Sequence, residues 1–456
     1  MSTPERQRGD YTEGSIVGSI LKMGLPSMLG FMTNNFYHLV DTWWVSRLPS
    51  KEAGVAGMTF FGVILMLLFS FNQLVGPGSV AIISRRYGEK QYDLAEKAIK
   101  ETVVLKLVFG SLLGLIGYVV VQDLLSLVGA QGEALELGVA YGKVMLLAVG
   151  IPYATYSIFT ALRGVANPKM AMILMIAGNV LNMILDPIFM FGYLGFPAMG
   201  IQGAAVASIT ALALTLLAGL YCLYSGGTNV RLHFIGKEPM AFSSMWQIIR
   251  IGVPAWINSV SASASQFVLA PMIAIFGTAV VAAYGVGMQV LGFGLMIVVG
   301  IGLGLSSLIG HNVGGGKVTR AQKTADHAIV LSVLMMAVFG AAVYLTAGLI
   351  ARLFFEDAET VAHTITLLHI VAFAFPGYGV VFIIDGIHVG VGLNTPMMVF
   401  SVIRSWVFMV VPAYLVVHAL GHSQVSVWWI VVASSLAAAV MVFFYYRRGR
   451  WLTVQV

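Results

Sequence analysis

Apolar residues run along this chain in long blocks, and short polar segments separate the blocks. A helix needs about 20 mostly apolar residues to cross a bilayer, because the hydrocarbon core is about 30 Å thick and each residue rises about 1.5 Å. Strands are excluded as the spanning element, since barrel strands alternate apolar and polar residues, whereas these blocks are apolar on every face. The pattern predicts an all-α polytopic membrane protein with twelve transmembrane helices, over residues 16–46, 53–84, 98–122, 134–162, 169–193, 198–225, 244–276, 279–312, 326–354, 359–392, 397–420 and 424–446.

Composition excludes several functional classes. Of 456 residues, 59% are hydrophobic and 10% are charged, whereas soluble proteins average roughly 45–50% and 25%. The single cysteine, Cys222, excludes a disulfide framework and a multi-cysteine metal site. The chain contains no HExxH motif, no GxxxxGK phosphate loop and no cytoplasmic catalytic domain, so we expect neither an enzyme nor an ATP-driven pump, and no cofactor. Basic residues are scattered over short loops, and we expect no nucleic-acid partner.

The basic residues are distributed unequally between alternate connections. With the N-terminus inside, 17 of the 25 Lys and Arg residues lie on the cytoplasmic side, and only Arg47, Lys51 and Arg352 lie outside. Cytoplasmic loops carry the excess of Lys and Arg in membrane proteins. We therefore expect both termini in the cytoplasm and an even number of spans.

The two halves of the chain resemble each other. The segment Leu21-Lys-Met-Gly-Leu-Pro26 recurs as Ile249-Arg-Ile-Gly-Val-Pro254, and Gly164-Val-Ala-Asn-Pro168 recurs as Gly392-Leu-Asn-Thr-Pro396, both at an offset of 228. Six helices in each half make the halves parallel, related by a pseudo-two-fold axis along the membrane normal, which is a transporter pattern. The predicted division is an N-terminal lobe over residues 1–225, a cytoplasmic linker over 226–243 and a C-terminal lobe over 244–456.

Four polar segments carry a family resemblance. They are Asn34-Asn-Phe-Tyr-His-Leu-Val-Asp41, Arg163-Gly-Val-Ala-Asn-Pro168, Asn179-Val-Leu-Asn-Met-Ile-Leu-Asp-Pro187 and Gly200-Ile-Gln-Gly-Ala-Ala-Val-Ala-Ser208. With them the chain resembles the multidrug and toxic compound extrusion (MATE) family over nearly its whole length. A first-helix aspartate paired with Asn-x-x-x-Asp on the fifth helix is similar to the DinF-like branch.

The resemblance implies a secondary active multidrug efflux antiporter of the inner or plasma membrane. It implies export of amphipathic, cationic small molecules in exchange for protons, or for sodium, by alternating access. Asp41, Asn182 and Asp186 carry over as the coupling residues, and Tyr141 as a hydrogen-bonding neighbour. We expect a monomer whose partners are its small-molecule substrate and membrane lipid.

The chain departs from the family pattern at two places. The seventh helix carries no acidic residue, and Ser208 stands where the family often has threonine. A lipid-linked precursor flippase of the same broad superfamily is the alternative function. Such proteins often have extra helices and a basic cavity, whereas this chain has twelve predicted spans and few intramembrane cations.

Polar residues on two predicted helices have the spacing of one helical face. Asn179, Asn182 and Asp186 stand at i, i+3 and i+7, and a second set stands at i, i+3, i+4 and i+7, namely Asn34, Tyr37, His38 and Asp41. A charged aspartate at the centre of a lipid-exposed helix costs roughly 2.5–3.5 kcal/mol. If the two faces meet, the carboxyl groups share a polar chamber that could hold a proton. The oxygens of Asp41, Asn182 and Asp186 could equally coordinate sodium, with Ser208 as a further candidate.

Each singled-out residue also has a purely structural interpretation. Asp41 could end its helix at the outer interface, and Asp186, before Pro187, could do the same. Asp385 could be a second proton site or the structural partner of Arg404. His38 could pack without titrating. Pro26 predicts a kink in the first helix, because proline lacks an N–H and clashes with the preceding turn; that kink could be a moving hinge or static.

Overall fold

The computed structural model describes residues 11–233, 238–419 and 423–453. Arg6, Arg8 and Lys237, which the sequence places in the cytoplasm, lie outside these ranges. No strand occurs in the described residues. The first half contains α1 (Ile16–Val45), α2 (Lys51–Asn72), α3 (Gly76–Gly88), α4 (Tyr92–Leu127), α5 (Gly132–Leu147), α6 (Gly150–Gly164), α7 (Pro168–Phe191) and α8 (Ile201–Tyr224).

The second half repeats this arrangement. It contains α9 (Phe242–Ala274), α10 (Thr278–Gly314), α11 (Val318–Phe354), α12 (Ala358–Val371), α13 (Phe375–Val391), α14 (Thr395–Val402), α15 (Val411–Tyr414) and α16 (Gln424–Arg447). Segments of π-helix, Ile403–Val410 and Leu415–Ala419, extend α14 and α15 into one span. The remaining short elements are 3₁₀ turns at Tyr193–Gly195, Ala372–Ala374 and Arg450–Thr453.

The predicted all-α membrane fold is confirmed. Ten stretches of the described chain are long and apolar enough to cross a membrane, and α5 with α6, bent by 54°, forms an eleventh. Helix α9, 33 residues long, is also long enough to span, although it is not among the helices that meet the apolarity criterion. Two helices begin earlier than the hydropathy pattern predicts, α4 at Tyr92 and α11 at Val318. Backbone hydrogen bonding continues past the membrane boundary, so these first turns are helical although they are polar.

The sequence repeats appear as repeated turns. Helix α3 ends at Gly88 and α10 at Gly314, and each is followed by a left-handed residue, Lys90 with φ 60° and Gly316 with φ 71°. Pro168 and Pro396 both occupy the first turn of a helix, where a missing N–H costs nothing. The same local chemistry therefore shapes both halves.

The two lobes meet through glycine residues that allow backbones to approach closely. A Cβ added at Gly304 on α10 would lie 2.5 Å from the carbonyl carbon and oxygen of Met23 on α1. A Cβ at Gly24 on α1 would lie 3.3 Å from the Cα of Ile301. Small residues let helices pack without side chains between them. These contacts all lie in the half of α1 that follows the N-terminal segment.

The N-terminal segment closes the same end of the molecule. The Nζ of Lys317 donates to the carbonyl and the hydroxyl oxygen of Thr12, at 3.2 and 2.9 Å. Arg320 donates to the backbone oxygens of Gly14 and Glu13, both at 2.9 Å. The lobes are therefore in contact at the end that carries this segment.

The close α1–α10 contact generates a prediction. We expect Gly304→Ala to lower the free energy of unfolding by about 1–3 kcal/mol, because the added methyl group forces the two backbones apart. Gly285→Ala is the matched control in the same helix, since nothing lies within 4 Å of its Cβ position. Thermal unfolding of both purified variants in detergent measures the difference. Equal melting temperatures would contradict the contact.

Candidate ion and substrate site

Helices α1 and α7 pack side by side and bring the two polar faces together. A Cβ at Gly30 on α1 would lie 2.9 Å from the Sδ of Met175 on α7. Three residues further along α1, Thr33 accepts a hydrogen bond from the Nδ2 of Asn179 at 3.0 Å. These contacts fix the register of the two helices. The remaining polar residues of both faces lie further along each helix, toward the end of the molecule opposite the N-terminal segment.

The two carboxyl groups lie in the interior of the first lobe. Asp41 is 1% exposed and Asp186 is 0% exposed, and they are close enough for their charges to repel. The hydroxyl groups of Tyr37 and Tyr141 lie within the field of both carboxylates. The ring of Phe61 packs edge-on against Tyr141 at 5.4 Å and holds it in place.

Asn182 connects the acidic pair to a third helix. Its Nδ2 donates to the Oγ of Ser208 on α8 at 3.1 Å and makes a longer contact of 3.4 Å with the Oδ1 of Asp186. Asn182 and Ser208 are each 3% exposed. Helices α1, α7 and α8 therefore all contribute to one polar cluster, which consists of Asp41, Asn182, Asp186 and Ser208.

Three oxygen atoms in this cluster have no hydrogen-bond donor among the described residues. They are the Oδ1 of Asp41, the Oδ2 of Asp186 and the Oδ1 of Asn182. An unpaired buried acceptor is costly, and charged acceptors are the most costly. Oxygen atoms without donors can accept a proton or coordinate a hard cation such as sodium. Among all the described residues, no group of three or more His, Cys, Asp or Glu side chains is arranged to hold a metal ion.

A small cavity adjoins the polar cluster. Asn182 and Ser208 belong both to its wall and to the cluster. The cavity is lined by Asn34, Tyr37, Tyr156, Phe159, Leu174, Met175, Gly178, Asn179, Asn182, Ser208, Ala211, Leu212 and Thr215. Its wall is mostly apolar and aromatic with a few polar groups, which is the composition of a small-molecule site.

Three singled-out residues lie elsewhere. The side chain of His38 is exposed on the outer surface of α1, although its ring contacts that of Tyr37 at 4.1 Å. Asp385 is half-buried on α13, and no ion pair joins it to Arg404, which instead makes a 3.5 Å contact with Ser405. Helix α1 continues without a break through Pro26, four turns before Asp41.

Neither aspartate ends its helix, which was the structural role that the sequence left open for both. Asp41 does not lie at the exposed end of α1, because its side chain points into the protein. Helix α7 continues past Pro187 to Phe191, so Asp186 does not end it.

Sequence reasoning missed Tyr156 and Thr33. The side chain of Tyr156 on α6 is hydrogen-bonded to that of Asn34 on α1, and both line the cavity. A tyrosine hydroxyl inside an apolar span needs a polar partner, and this requirement was the available signal. No spacing rule indicates Thr33, because its role depends on which residue of α7 lies opposite.

The Asn182–Ser208 hydrogen bond generates a prediction. We expect Ser208→Ala to lower the free energy of unfolding by about 1–2 kcal/mol, because the buried amide loses its shorter acceptor. Ser126→Ala is the control, since Ser126 is exposed and bonds only to the carbonyl of Gln122 in its own helix. Thermal unfolding in detergent compares the two variants. A loss no larger than that of the control would show that the hydrogen bond does not form.

Comparisons with known proteins agree with this architecture. The MatE family model matches residues 26–188 and 254–415, one block in each lobe. "Probable multidrug resistance protein YoeA" of Bacillus subtilis strain 168 is 26% identical over 89% of this chain and 88% of its own length. "Multidrug export protein MepA" of Staphylococcus haemolyticus strain JCSC1435 is 24% identical over 92% of this chain and 90% of its own length.

Solved structures show the same fold. One, described as the outward-facing conformation of a multidrug resistance MATE family transporter of the MOP superfamily, is 25% identical and superposes with a TM-score of 0.88, over 97% of this chain and 98% of that one. The family resemblance expected from the four polar segments is thereby confirmed. The chain belongs to the MatE family of multidrug and toxic compound extrusion transporters.

Proposed function

We propose that this protein is a multidrug efflux antiporter that exports amphipathic, cationic compounds in exchange for protons, with sodium as the second candidate ion. The observation that carries the proposal is the buried pair Asp41 and Asp186, whose free oxygen atoms belong to the same polar cluster as Asn182 and Ser208 in the cavity wall. The names of YoeA and MepA support export of multiple drugs. In this proposal the protein lies in the plasma membrane as a monomer with both termini in the cytoplasm.

The acidic pair can couple ion entry to drug export, because two negative charges so close together are unfavourable. No Lys, Arg or His side chain of the described residues forms an ion pair with either carboxyl group. Binding a proton, or sodium through Asp41, Asn182 and Asp186, removes the repulsion. A cationic substrate in the adjacent cavity removes it as well. Ion and substrate then compete for the same negative charge, which is the requirement for exchange.

The cavity wall suits an amphipathic cation. Tyr37, Tyr156 and Phe159 offer aromatic faces, which attract cations. Met175 offers a flexible, polarizable side chain that adapts to different shapes. Asn34, Asn179 and Thr215 supply polar contacts at fixed places. Few directional groups and many adaptable ones fit a transporter of several drugs.

Pro26 is the proposed hinge of alternating access. It lies within the part of α1 that contacts α10, from Met23 to Met28, and one turn before the part that contacts α7, at Gly30 and Thr33. Proline removes one helix hydrogen bond and clashes with the preceding turn, so bending costs least there. Ion binding at Asp41 would then change the position of one part of α1 relative to the other.

The acidic pair generates a transport prediction. In proteoliposomes, we expect Asp41→Asn and Asp186→Asn each to reduce ion-driven efflux of a fluorescent cation at least about fivefold, because a coupling free energy of 1–3 kcal/mol corresponds to roughly 5–150-fold. Separate proton and sodium gradients identify the ion. Asp123→Asn, an isosteric change at an exposed position of α4, is the control. Efflux unaffected by both site variants would refute the coupling site, and efflux driven by sodium alone would reverse the ion preference.

The hinge generates a second transport prediction. We expect Pro26→Ala to reduce efflux at least about fivefold while substrate binding to the purified protein stays close to wild type, because the cavity remains but the bend becomes costly. Pro49→Ala, at an exposed position between α1 and α2, is the control. Full transport by Pro26→Ala would show that the proline has only a static role.

A further inference from the structure

Two basic residues are buried in the first lobe without a counter-charge. Lys106 on α4 is 1% exposed and Arg163 at the end of α6 is 4% exposed. Neither forms an ion pair with a carboxylate within the described parts of the chain. They are close enough for their charges to repel. Neither residue has a role in the proposed transport mechanism, and what we infer from Lys106 and Arg163 does not depend on that mechanism.

The guanidinium of Arg163 is largely unpartnered. Its Nε and one of its amino nitrogens have no acceptor among the described residues. The other amino nitrogen makes only a 3.4 Å contact with the Oγ1 of Thr160, one turn earlier in the same helix. A buried guanidinium is normally held by several acceptors, because it carries five N–H donors. Here most of its donors face the interior unpaired.

The ammonium of Lys106 points toward the start of α3. Its Nζ lies 4.0 Å from the Cβ position of Gly76, the first residue of that helix. No side chain caps α3, and Pro77 follows Gly76 in the first turn. The first turn of a helix carries a partial positive charge from its free N–H groups. Lys106 therefore lies at the break between α2 and α3, and its charge is repelled by that of Arg163.

The nearest acidic residues of α4 have other partners. The Oε1 of Glu101 accepts hydrogen bonds from the backbone N–H of Ala241 at 2.8 Å and from the Oγ of Ser244 at 2.6 Å. Glu96 forms an ion pair with Lys100 at 2.7 Å and accepts from the backbone N–H of His233 at 2.7 Å. Both glutamates thus bind the segment that joins the lobes. The positive charge at Lys106 and Arg163 is left uncompensated.

We infer that a small inorganic anion of chloride size binds among the Lys106 ammonium, the Arg163 guanidinium and the start of α3. An anion there satisfies the free N–H groups of Arg163 and removes the repulsion between the two cations. The enclosure of both side chains favours a single small ion over an organic acid or a lipid headgroup. The start of a helix is a favourable anion site where other positive groups converge on it. The bound ion would hold α4 and α6 against α3, the helix that contacts the second lobe at Ile248.

Two measurements on the full-length protein in detergent test this site. Crystals grown in bromide should show an anomalous scattering peak between Lys106 and Arg163, and this test needs no variant. In thermal unfolding at constant ionic strength, replacing gluconate with chloride should raise the melting temperature of the wild type saturably, by roughly 2 °C. Lys106→Gln and Arg163→Gln should each abolish the rise.

Lys143→Gln is the matched control, because Lys143 lies in the same lobe, its Nζ is over the ring of Tyr118 at 5.4 Å, and it should keep the chloride effect. A rise of the same size in sulfate, or in the Lys106→Gln variant, would overturn the site by showing a general salt effect. Absence of both the bromide peak and the chloride effect would overturn it too.

Discussion

A hydrocarbon interior offers neither hydrogen-bond partners nor counter-charges, so the protein itself must accommodate every polar group inside its spans. Asp41 and Asp186 would each cost roughly 2.5–3.5 kcal/mol facing lipid. Close packing of α1 on α7, made possible by Gly30, turns both carboxyl groups inward instead. Burial does not supply them with enough donors, because Asn182 reaches only one oxygen of Asp186. The fold therefore keeps an unsatisfied acceptor pair beside the cavity, and this is the property that the transport proposal uses.

Helix α1 links that pair to the contact between the lobes. One part of the helix packs on α10 from Met23 to Met28, and the next part packs on α7 through Gly30 and Thr33. The α10 contact is backbone-close, whereas the α7 contact is made through the side chains of Met175 and Asn179, so a shift of α1 against α10 disturbs its neighbour more. Pro26 lies inside the stretch of α1 that contacts α10, since that contact extends from Met23 to Met28. A bend at the proline would therefore change the lobe contact itself.

Much of this architecture could be predicted from the sequence. Hydropathy located the spans, and the recurrence of Pro26 as Pro254 indicated two equivalent halves. Helical spacing placed Asn182 and Asp186 on one face, but spacing along one helix cannot say which neighbouring helix that face meets. His38 illustrates this limit, since it shares the spacing of Asp41 and yet lies on the exposed surface. Tyr156 and Thr33 show the converse, because their roles arise from tertiary contacts that leave no periodic signal. Arg163 was assigned to a cytoplasmic connection, whereas the last turn of α6 buries it.

The two halves share a backbone plan but differ in their buried charges. At the offset of 228 that relates Pro26 to Pro254, the positions equivalent to Asp41 and Asp186 are Leu269 and Tyr414. The position equivalent to Arg163 is Val391, which is 2% exposed. Both lobes have the turns and helix contacts that determine the fold, whereas only the first lobe has these charged residues. If charge were needed to stabilise this fold, the second lobe would need it as well. Its core packs without these groups, so the costly charges of the first lobe are better explained by binding of ions than by stability.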